Sequence, residues 1–250
     1  MRKVSFHVEK GGTGKTTMAG NVAHAMAQDQ KALLVDCDPQ GNLTSWYVTK
    51  AMKWEMVDVL QEKCGLRDAL IPVRNNLFVL PTFGIDGGLK TWSETTLFQK
   101  PFAFADLLVK LEEEKFSVAV FDLGPGISNL EKSILACMDE IVGVAAAEYF
   151  SVDGLEIFDH ELEKLRRDRR ASFVADKLVV NRVNFAYALH KIYQEQFKKL
   201  RYDIFTVGQS TAISDCVPKH LSLFEYDPIN KNISEFQRLA RALATVEVNA

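Results

Sequence analysis

The feature that most constrains the fold of this chain is a glycine-rich loop at residues 9–17, EKGGTGKTT. Its final residues fit the end of the G-x-x-x-x-G-K-[ST] phosphate-binding pattern, with Glu9 where the first glycine usually stands. The preceding Arg2–Val8 alternates in a way that predicts a strand, and Met18–Gln28 is rich in Ala, Met, Val and Gln, which predicts a helix. A glycine loop between a strand and a helix turns backbone N–H groups toward a phosphate, and the helix N-terminus adds positive potential. The sequence therefore predicts a nucleotide site.

Two lysines in this loop have different predicted roles. Lys15 is expected to bridge the β- and γ-phosphates, and the Thr16 hydroxyl to ligate Mg²⁺. Lys10 stands just before the glycine pair and is additional to the ordinary pattern. The candidate nucleotide-binding residues of the loop are Lys10, Gly11, Gly12, Thr13, Gly14, Lys15, Thr16 and Thr17.

Acidic residues follow two further predicted strands. Asp36 and Asp38 come after Ala32–Val35, and open α/β sheets bind ligands at the carboxyl ends of their strands. One of these carboxylates can support a magnesium shell while the other orients or activates water beside the γ-phosphate. Asp122 ends the apolar run Val118–Phe121, as in a Walker B strand, whose carboxylate reaches Mg²⁺ through water.

Short apolar runs alternate with helical patterns along the whole chain. This alternation predicts an α/β fold with a mostly parallel, twisted sheet covered by helices on both faces. Together with the phosphate-binding loop, it indicates a fold of the P-loop NTPase type. Because no linker, repeat or low-complexity tract interrupts the pattern, we expect one domain, residues 1–250. The further predicted strands are Leu77–Leu80, Ile141–Ala145, Leu178–Val180 and Ile204–Val207. The further predicted helices are Trp54–Lys63, Pro101–Glu114, Leu130–Met138, Asp153–Arg169, Ala188–Leu200 and Ser234–Ala244.

Composition excludes several other classes of protein. The chain has 250 residues, 47% of them hydrophobic, which is enough to bury a full core. It has no apolar run of about 18 residues and no signal-peptide pattern, and its four scattered cysteines favour reduced thiols in the cytoplasm. The net charge of −3 gives no global electrostatic case for nucleic acid, so any DNA contact requires a local patch or a dimer.

Together these motifs resemble those of the ParA/MinD family of deviant Walker A ATPases, and most of all its Soj-like ParA branch. Lys10 stands at the family's signature lysine, residues 36–42 match its D-x-D-P-Q-G-N switch, and Asp122 matches its Walker B aspartate. Glu148–Leu155 and Phe224–Pro228 resemble two later family segments. The similarity runs nearly from end to end.

The resemblance implies a nucleotide-gated homodimer. In this family ATP and Mg²⁺ lie between two subunits, and the signature lysine reaches the phosphates of the partner. The catalytic residues would be Lys10, Lys15 and Asp38, with Asp38 positioning the hydrolytic water. Thr16, Asp36 and Asp122 would hold the magnesium. Asn181 and Arg182 resemble the adenine-recognition segment, although the residues alone favour a structural turn equally.

The family cycle places such a protein on the nucleoid in the cytoplasm. The ATP-bound dimer binds non-specific DNA, a ParB-like protein stimulates slow hydrolysis, and ADP-bound monomers are released. The cargo would be a plasmid, a chromosome locus or a protein assembly.

Departures from the family pattern affect the switch and the DNA surface. Glu9 replaces Gln or Asn, and Gly124 replaces a proline after the Walker B strand, which predicts a more mobile loop. Phe185 and Gln209–Ile213 stand where arginines usually contact DNA. Other basic residues could substitute, although we favour solvated helix ends for them: Arg166, Arg167, Arg169, Arg170, Lys198, Lys199 and Arg201.

Two alternatives differ in the surface or cofactor that they require. A MinD-like membrane regulator needs a C-terminal amphipathic anchor. We expect the apolar stripe of Ser234–Ala244 to pack in the core instead, and we do not expect membrane binding. A redox iron protein needs paired cluster thiolates, and no second cysteine placed to act with Cys137 is evident.

Overall fold

The computed structural model describes residues 1–8, 10–147 and 151–244. Helices separate every pair of successive described strands except β3 and β4, which agrees with the α/β pattern of the sequence. The strands are β1 Arg2–His7, β2 Ala32–Cys37, β3 Ile71–Arg74, β4 Leu77–Leu80, β5 Val118–Leu123, β6 Glu140–Ala146, β7 Val174–Val183 and β8 Asp203–Gly208. The helices are α1 Lys15–Ala27, α2 Asn42–Tyr47, α3 Met56–Leu60, α4 Leu66–Ala69, α5 Leu89–Thr95, α6 Ala103–Glu113, α7 Asn129–Leu135, α8 Ser151–Arg169, α9 Ala188–Phe197, α10 Thr211–Asp215, α11 Leu223–Tyr226 and α12 Ile233–Ala244.

The described strands form one eight-stranded sheet in the order β3-β4-β2-β5-β1-β6-β7-β8. Every neighbouring pair is parallel except β3 with β4. The predicted α/β class and mostly parallel sheet are therefore confirmed. The sequence did not reveal β3, because the strand is short and contains Pro72. A proline has no backbone N–H and is tolerated in a sheet only at an edge such as this one.

Helices cover both faces of the sheet. On one face α1, α2 and α12 enclose an apolar cluster that includes Phe6, Met18 and Trp46. On the other face α3, α5, α6, α7 and α8 enclose a cluster that includes Phe104, Phe121 and Phe158. The central strands are buried on both sides, so they consist of continuous apolar runs that end in polar residues at the carboxyl edge.

Most predicted elements have somewhat different bounds in the structure, and three of them illustrate the differences. The helix predicted at Trp54–Lys63 occupies only Met56–Leu60, because Glu62 has a left-handed φ of 60° that ends it. The helix predicted from Pro101 begins two residues later. The strand predicted at Leu178–Val180 extends to Val183, because an irregularity between Val180 and Val183 lets its pairing with β8 resume.

The C-terminal helix α12 packs its apolar stripe into the core, as predicted. Phe236, Leu239 and Leu243 are at most 1% exposed, and α12 lies against α1 and β8. Among the described helices, none is long and apolar enough to cross a membrane.

Replacing Phe236 by alanine tests the contribution of α12 to the core. The side chain is fully buried, so Phe236→Ala is expected to lower the free energy of unfolding by about 3–5 kcal/mol. Phe98→Ala is the matched control, because that phenylalanine is 89% exposed. Chemical denaturation followed by circular dichroism measures both variants. Similar losses in the two would show that α12 is not a stabilising part of the core.

Candidate nucleotide site

The predicted site residues converge because three parallel strands end at the same edge of the sheet. In the pairing register Asp36 of β2 lies beside Asp122 of β5, and Asp122 lies beside Phe6 of β1. The glycine-rich loop follows β1, and the segment containing Asp38 follows β2. The loop and all three aspartates therefore lie together at the carboxyl edge, as the sequence predicted.

The loop between β1 and α1 has a backbone shape that depends on glycine. Gly12 and Gly14 have φ angles of 74° and 102°, and Gly14 is the N-cap of α1. No side chain caps this helix, so the N–H groups of its first turn stay available to an anion. A Cβ at Gly14 would lie 2.3 Å from Nδ2 of Asn181, which excludes a larger residue there.

The two lysines of the loop occupy different environments. Lys15 is only 7% exposed, and its Nζ lies 3.4 Å from the Val8 carbonyl oxygen and 3.3 Å from that of Lys10. Burial lowers the pKa of Lys15, although Asp122, Asp38 and Glu131 oppose that shift. Lys10 is exposed at the surface of the loop. One cation is therefore held inside the loop, and the other faces outward.

Asp36 is fully buried and holds the following helix. Its Oδ2 accepts hydrogen bonds of 2.7 Å from both the backbone N–H and the hydroxyl of Thr44, and its Oδ1 accepts from the Asp38 N–H at 3.2 Å. Burial raises the pKa of Asp36 to about 7, while the Thr44 bonds oppose the shift. Much of the bonding capacity of this carboxylate is thus used to shape the segment between β2 and α2.

Asp122 is fully buried, and neither of its carboxylate oxygens has a hydrogen-bond partner. Burial raises its pKa well above the ordinary value and Asp36 raises it further, whereas the nearby Thr16 hydroxyl and Lys15 lower it. An unpartnered buried carboxylate is costly unless a cation compensates it.

These side chains fit magnesium bound together with a nucleotide. In the described part of the chain, no three His, Cys, Asp or Glu side chains form a ready-made metal cluster. Magnesium at nucleotide sites needs only one or two protein ligands, because phosphates and water supply the others. The Thr16 hydroxyl and the unpartnered oxygens of Asp122 are suitable donors.

Asp38 lies at the entrance of the site. It is 8% exposed, and its Oδ1 accepts from the Gln40 N–H at 2.9 Å, which fixes the side chain toward the loop that follows β5. A Cβ at Gly124 of that loop would lie 3.4 Å from both Asp38 Oδ1 and Glu131 Oε1. A small residue at position 124 therefore lets the loop approach both acids closely.

Asn181 and Arg182 lie on opposite sides of the backbone. Asn181 is buried and its Nδ2 donates to the Thr13 carbonyl at 2.7 Å, so it supports the phosphate-binding loop from within. Arg182 has a left-handed φ of 57° and an exposed side chain. The structure therefore gives Asn181 a supporting contact and leaves Arg182 at the mouth of the site.

Two adjoining clefts provide room for a nucleotide. The first has a volume of about 710 Å³ and is lined by the loop together with Asp38, Trp46 and Arg182. The second has a volume of about 460 Å³ and lies between Asn181, Arg182 and the segment that follows β8. Thr17, Arg182 and Val217 line both, so the clefts are continuous. Their arrangement suits phosphates in the first cleft and a nucleoside in the second.

Sequence reasoning missed several residues that shape this site. Glu131 is 4% exposed and accepts from the N–H and hydroxyl of Ser128, closing a capping box at the start of α7. The S-x-x-E spacing signals such a box, although not its position beside Asp38. Thr44, which donates two hydrogen bonds to Asp36, belongs to no recognisable sequence motif. The same is true of His7, which is fully buried at the end of β1.

Two sequence observations concern residues outside the described ranges. Glu9, the acid at the start of the loop, is one of them. The other is the Glu148–Phe150 part of the segment that resembles the family's E-Y-F motif.

Comparison with known proteins identifies the family. The AAA_31 family model, an AAA domain, matches residues 1–175. An uncharacterised protein of Borreliella burgdorferi is 31% identical over 97% of this chain and 99% of its own length. The chromosome partitioning protein ParA of Myxococcus xanthus is 26% identical over 97% of this chain and 87% of its own length. The crystal structure of a plasmid partition protein of Borrelia burgdorferi bound to AMPPNP shares the fold, with a TM-score of 0.81 and 22% identity over 97% of each chain.

The chain belongs to the ParA/MinD-type ATPases.

The unpartnered carboxylate of Asp122 leads us to predict that the stability of this ParA/MinD-type ATPase depends on pH. Because the pKa of Asp122 is raised above its unfolded value of 3.8, this group's contribution to stability is present below that pH and is lost as the pH rises through its folded pKa. In the Asp122→Asn variant the asparagine side chain is neutral at every pH. Without Mg²⁺ and nucleotide, the melting temperature of this variant should be about 5 °C above that of wild type at pH 8, and the difference should be smaller at pH 5. Thermal melting in EDTA across this pH range measures the difference.

The same substitution should remove the response to magnesium. MgATP is expected to raise the melting temperature of the wild type and much less that of Asp122→Asn. Asp29→Asn is the control, since this exposed aspartate lies outside the site and should behave as wild type. A variant that melts below wild type at pH 8 would contradict the buried, uncompensated charge.

Proposed function

We propose that this chain is a ParA-type partition ATPase that forms an ATP sandwich homodimer and positions a plasmid, a chromosome locus or another cargo. The observation that carries the proposal is the divergence of the two loop lysines. Lys15 is held inside the loop, where it can serve only the nucleotide of its own subunit. Lys10 is exposed on the same loop, so it is positioned to reach a phosphate bound by a second copy.

The reaction is hydrolysis of ATP to ADP and phosphate. The loop N–H groups and Lys15 bind the phosphates, and Asp38 orients the attacking water beside the γ-phosphate. Thr16 and Asp122 would hold Mg²⁺, with Asp36 supporting its shell from beneath α2. Bound magnesium supplies positive charge to the phosphates and compensates Asp122. Slow turnover follows if Asp38 reaches its productive position only in the dimer.

Adenine would bind in the second cleft, between Arg182 and the segment that follows β8. Arg182 lines it from one side and the exposed Gln209 lines it from the other. Asn181 acts there indirectly, through its bond to the Thr13 carbonyl.

The DNA surface is the part of the proposal with the least direct residue support. Three of the basic residues considered above have local partners: Arg166 pairs with Glu163, Lys198 with Glu195 and Arg201 with Asp159. These pairs favour solvated helix ends for those cations. The exposed cations that have no described pairing here are Arg167, Arg169, Arg170 and Lys199. A dimer would double this set of charges for contact with phosphates, and base recognition would not be needed.

The proposed partners and location follow from that cycle. The ATP-bound homodimer associates with nucleoid DNA in the cytoplasm, and a ParB-like protein stimulates hydrolysis and release. Helix α12 does not favour the MinD-like alternative, because its apolar stripe is buried against α1 and β8.

The dimer can be tested with two variants of opposite effect. Asp38→Ala should trap the ATP-bound state, so with MgATP it is expected to elute as a dimer at micromolar concentration and with ADP as a monomer. Lys10→Ala should stay monomeric while still binding nucleotide, because its own Lys15 is intact. Size-exclusion chromatography with light scattering measures both.

A control and two adverse outcomes complete this test. Lys164→Ala removes an exposed lysine on α8 and should dimerise as the wild type does. A monomeric Asp38→Ala in MgATP would refute the sandwich, and a normal dimer from Lys10→Ala would refute the role of that lysine.

Surface binding separates partition from membrane regulation. We expect a gel shift of non-specific duplex DNA with ATP and none with ADP, and the affinity should fall steeply as salt rises because phosphate contacts dominate. Sedimentation with anionic liposomes is the parallel experiment. Pelleting with liposomes and no shift of DNA would support the MinD-like function instead.

A further inference from the structure

The loop between β5 and α7, residues 124–127, lies beside Asp38, Glu131 and the phosphate-binding loop. Its Gly124 approaches Asp38 and Glu131, as described above. Its Pro125 lies against the phosphate-binding loop, since a Cβ at Gly11 would be 3.8 Å from Cβ of Pro125. Both ends are anchored, one by strand β5 and the other by the Ser128–Glu131 capping box.

The middle of this loop has room to move. Gly126 has a φ of 89°, and a Cβ built there would meet no atom within 4 Å. An interaction with the Gly126 backbone raises the pKa of His7 against the effect of burial, so this backbone lies near the imidazole ring. His7 is the last residue of β1, beside Gly143 of β6 in the pairing register.

His7 is an anomaly within the core. Its side chain is 0% exposed, yet neither ring nitrogen has a hydrogen-bond partner. Its ring lies 6.1 Å from that of Phe158 on α8, which offers packing but no acceptor. A buried donor without a partner is destabilising, because it has given up its hydrogen bond to water. Buried polar groups without a partner are uncommon in native proteins, so each one calls for an explanation.

The ring is neutral in this position. Burial lowers the pKa of His7 to about 3, and the charge of Lys15 lowers it further. A neutral imidazole carries one N–H donor and one acceptor nitrogen. Because the Gly126 backbone lies near the ring, a small movement of the loop would bring its carbonyl to the ring N–H.

We propose that His7 is a positioning residue for ATP hydrolysis: when residues 124–127 close over bound nucleotide, its ring N–H donates to the Gly126 carbonyl and fixes the loop beside Asp38. This inference rests on the proposed ATPase function. His7 touches neither substrate nor metal in this account. It acts through the loop, and the loop limits where Asp38 and the attacking water can lie.

Three variants of His7 in the full chain separate hydrogen bonding from packing. His7→Phe keeps a planar ring and removes both nitrogens. His7→Asn and His7→Gln restore an amide N–H near the positions of the two ring nitrogens. Phe158→Leu is the matched control, because it disturbs the same packing without removing a donor. The measurements are the dissociation constant for MgAMPPNP, the kcat for MgATP, and hydrogen–deuterium exchange of a peptide spanning residues 123–128.

The expected result is a loss in turnover without a loss in binding. His7→Phe should bind MgAMPPNP within about twofold of wild type, whereas its kcat should fall about 3- to 10-fold, the equivalent of one hydrogen bond. In wild type the nucleotide should protect the loop peptide from exchange, and in His7→Phe that protection should disappear. The Asn or the Gln variant should recover most of the kcat and the protection. Phe158→Leu should lower the melting temperature and leave loop protection intact.

Other outcomes would overturn the inference. Normal turnover and protection in His7→Phe would do so, as would the same loss of protection in Phe158→Leu. A defect that neither amide variant reduces would assign His7 to packing. If wild type hydrolyses ATP but its loop gains no protection, the hydrogen bond is refuted and the ATPase function stands. If wild type does not bind MgATP, the proposed function and this inference fall together.

Discussion

The site depends on the in-register parallel pairing of β2 with β5, which places Asp36 and Asp122 side by side at a buried edge of the sheet. Burial raises the pKa of both carboxyl groups, the charge of Asp38 adds to the rise at Asp36, and the charge of Asp36 adds to the rise at Asp122. Lys15, held by the phosphate-binding loop, opposes the shift at Asp122 only in part. Without nucleotide, the negative charge at the carboxyl edge of the sheet is therefore not fully compensated. Magnesium bound with a nucleotide is the cation that suits this arrangement, which links the stability of the fold to occupancy of the site.

Asp36 and Asp122 are both buried, but they differ in the hydrogen bonds that their carboxylates accept. Asp36 accepts three hydrogen bonds from Thr44 and Asp38, so its carboxylate organises the segment that carries Asp38. Thr82 extends the same network, because its hydroxyl donates to the Asp36 carbonyl at 2.6 Å. Asp122 has no such partners. One aspartate thus shapes the switch, and the other keeps its oxygens available for a cation.

Much of this arrangement could be predicted because it follows from local spacing. The loop pattern, the two aspartates after β2 and the aspartate after β5 all stand at strand ends, and parallel strands present those ends at one edge. The prediction was weaker where a short or irregular segment depends on its neighbours. Strand β3 pairs only at the edge of the sheet, and β7 continues past Val180 because Arg182 adopts a left-handed conformation that restores pairing to β8. Neither the edge pairing of β3 nor the extension of β7 produces a periodic pattern of apolar residues in the sequence.

By itself the sequence determined the chemistry of this protein: a phosphate-binding loop, a second lysine, and acids spaced to follow strands. These are local patterns, and local patterns depend only on residue type and separation along the chain. The tertiary structure alone decided how the groups are used. It turned Lys15 inward and Lys10 outward, directed Asn181 to the loop 168 residues away, and buried His7 near Gly126. Such roles depend on which strands become neighbours and on which groups lose water, and both are properties of the packed sheet.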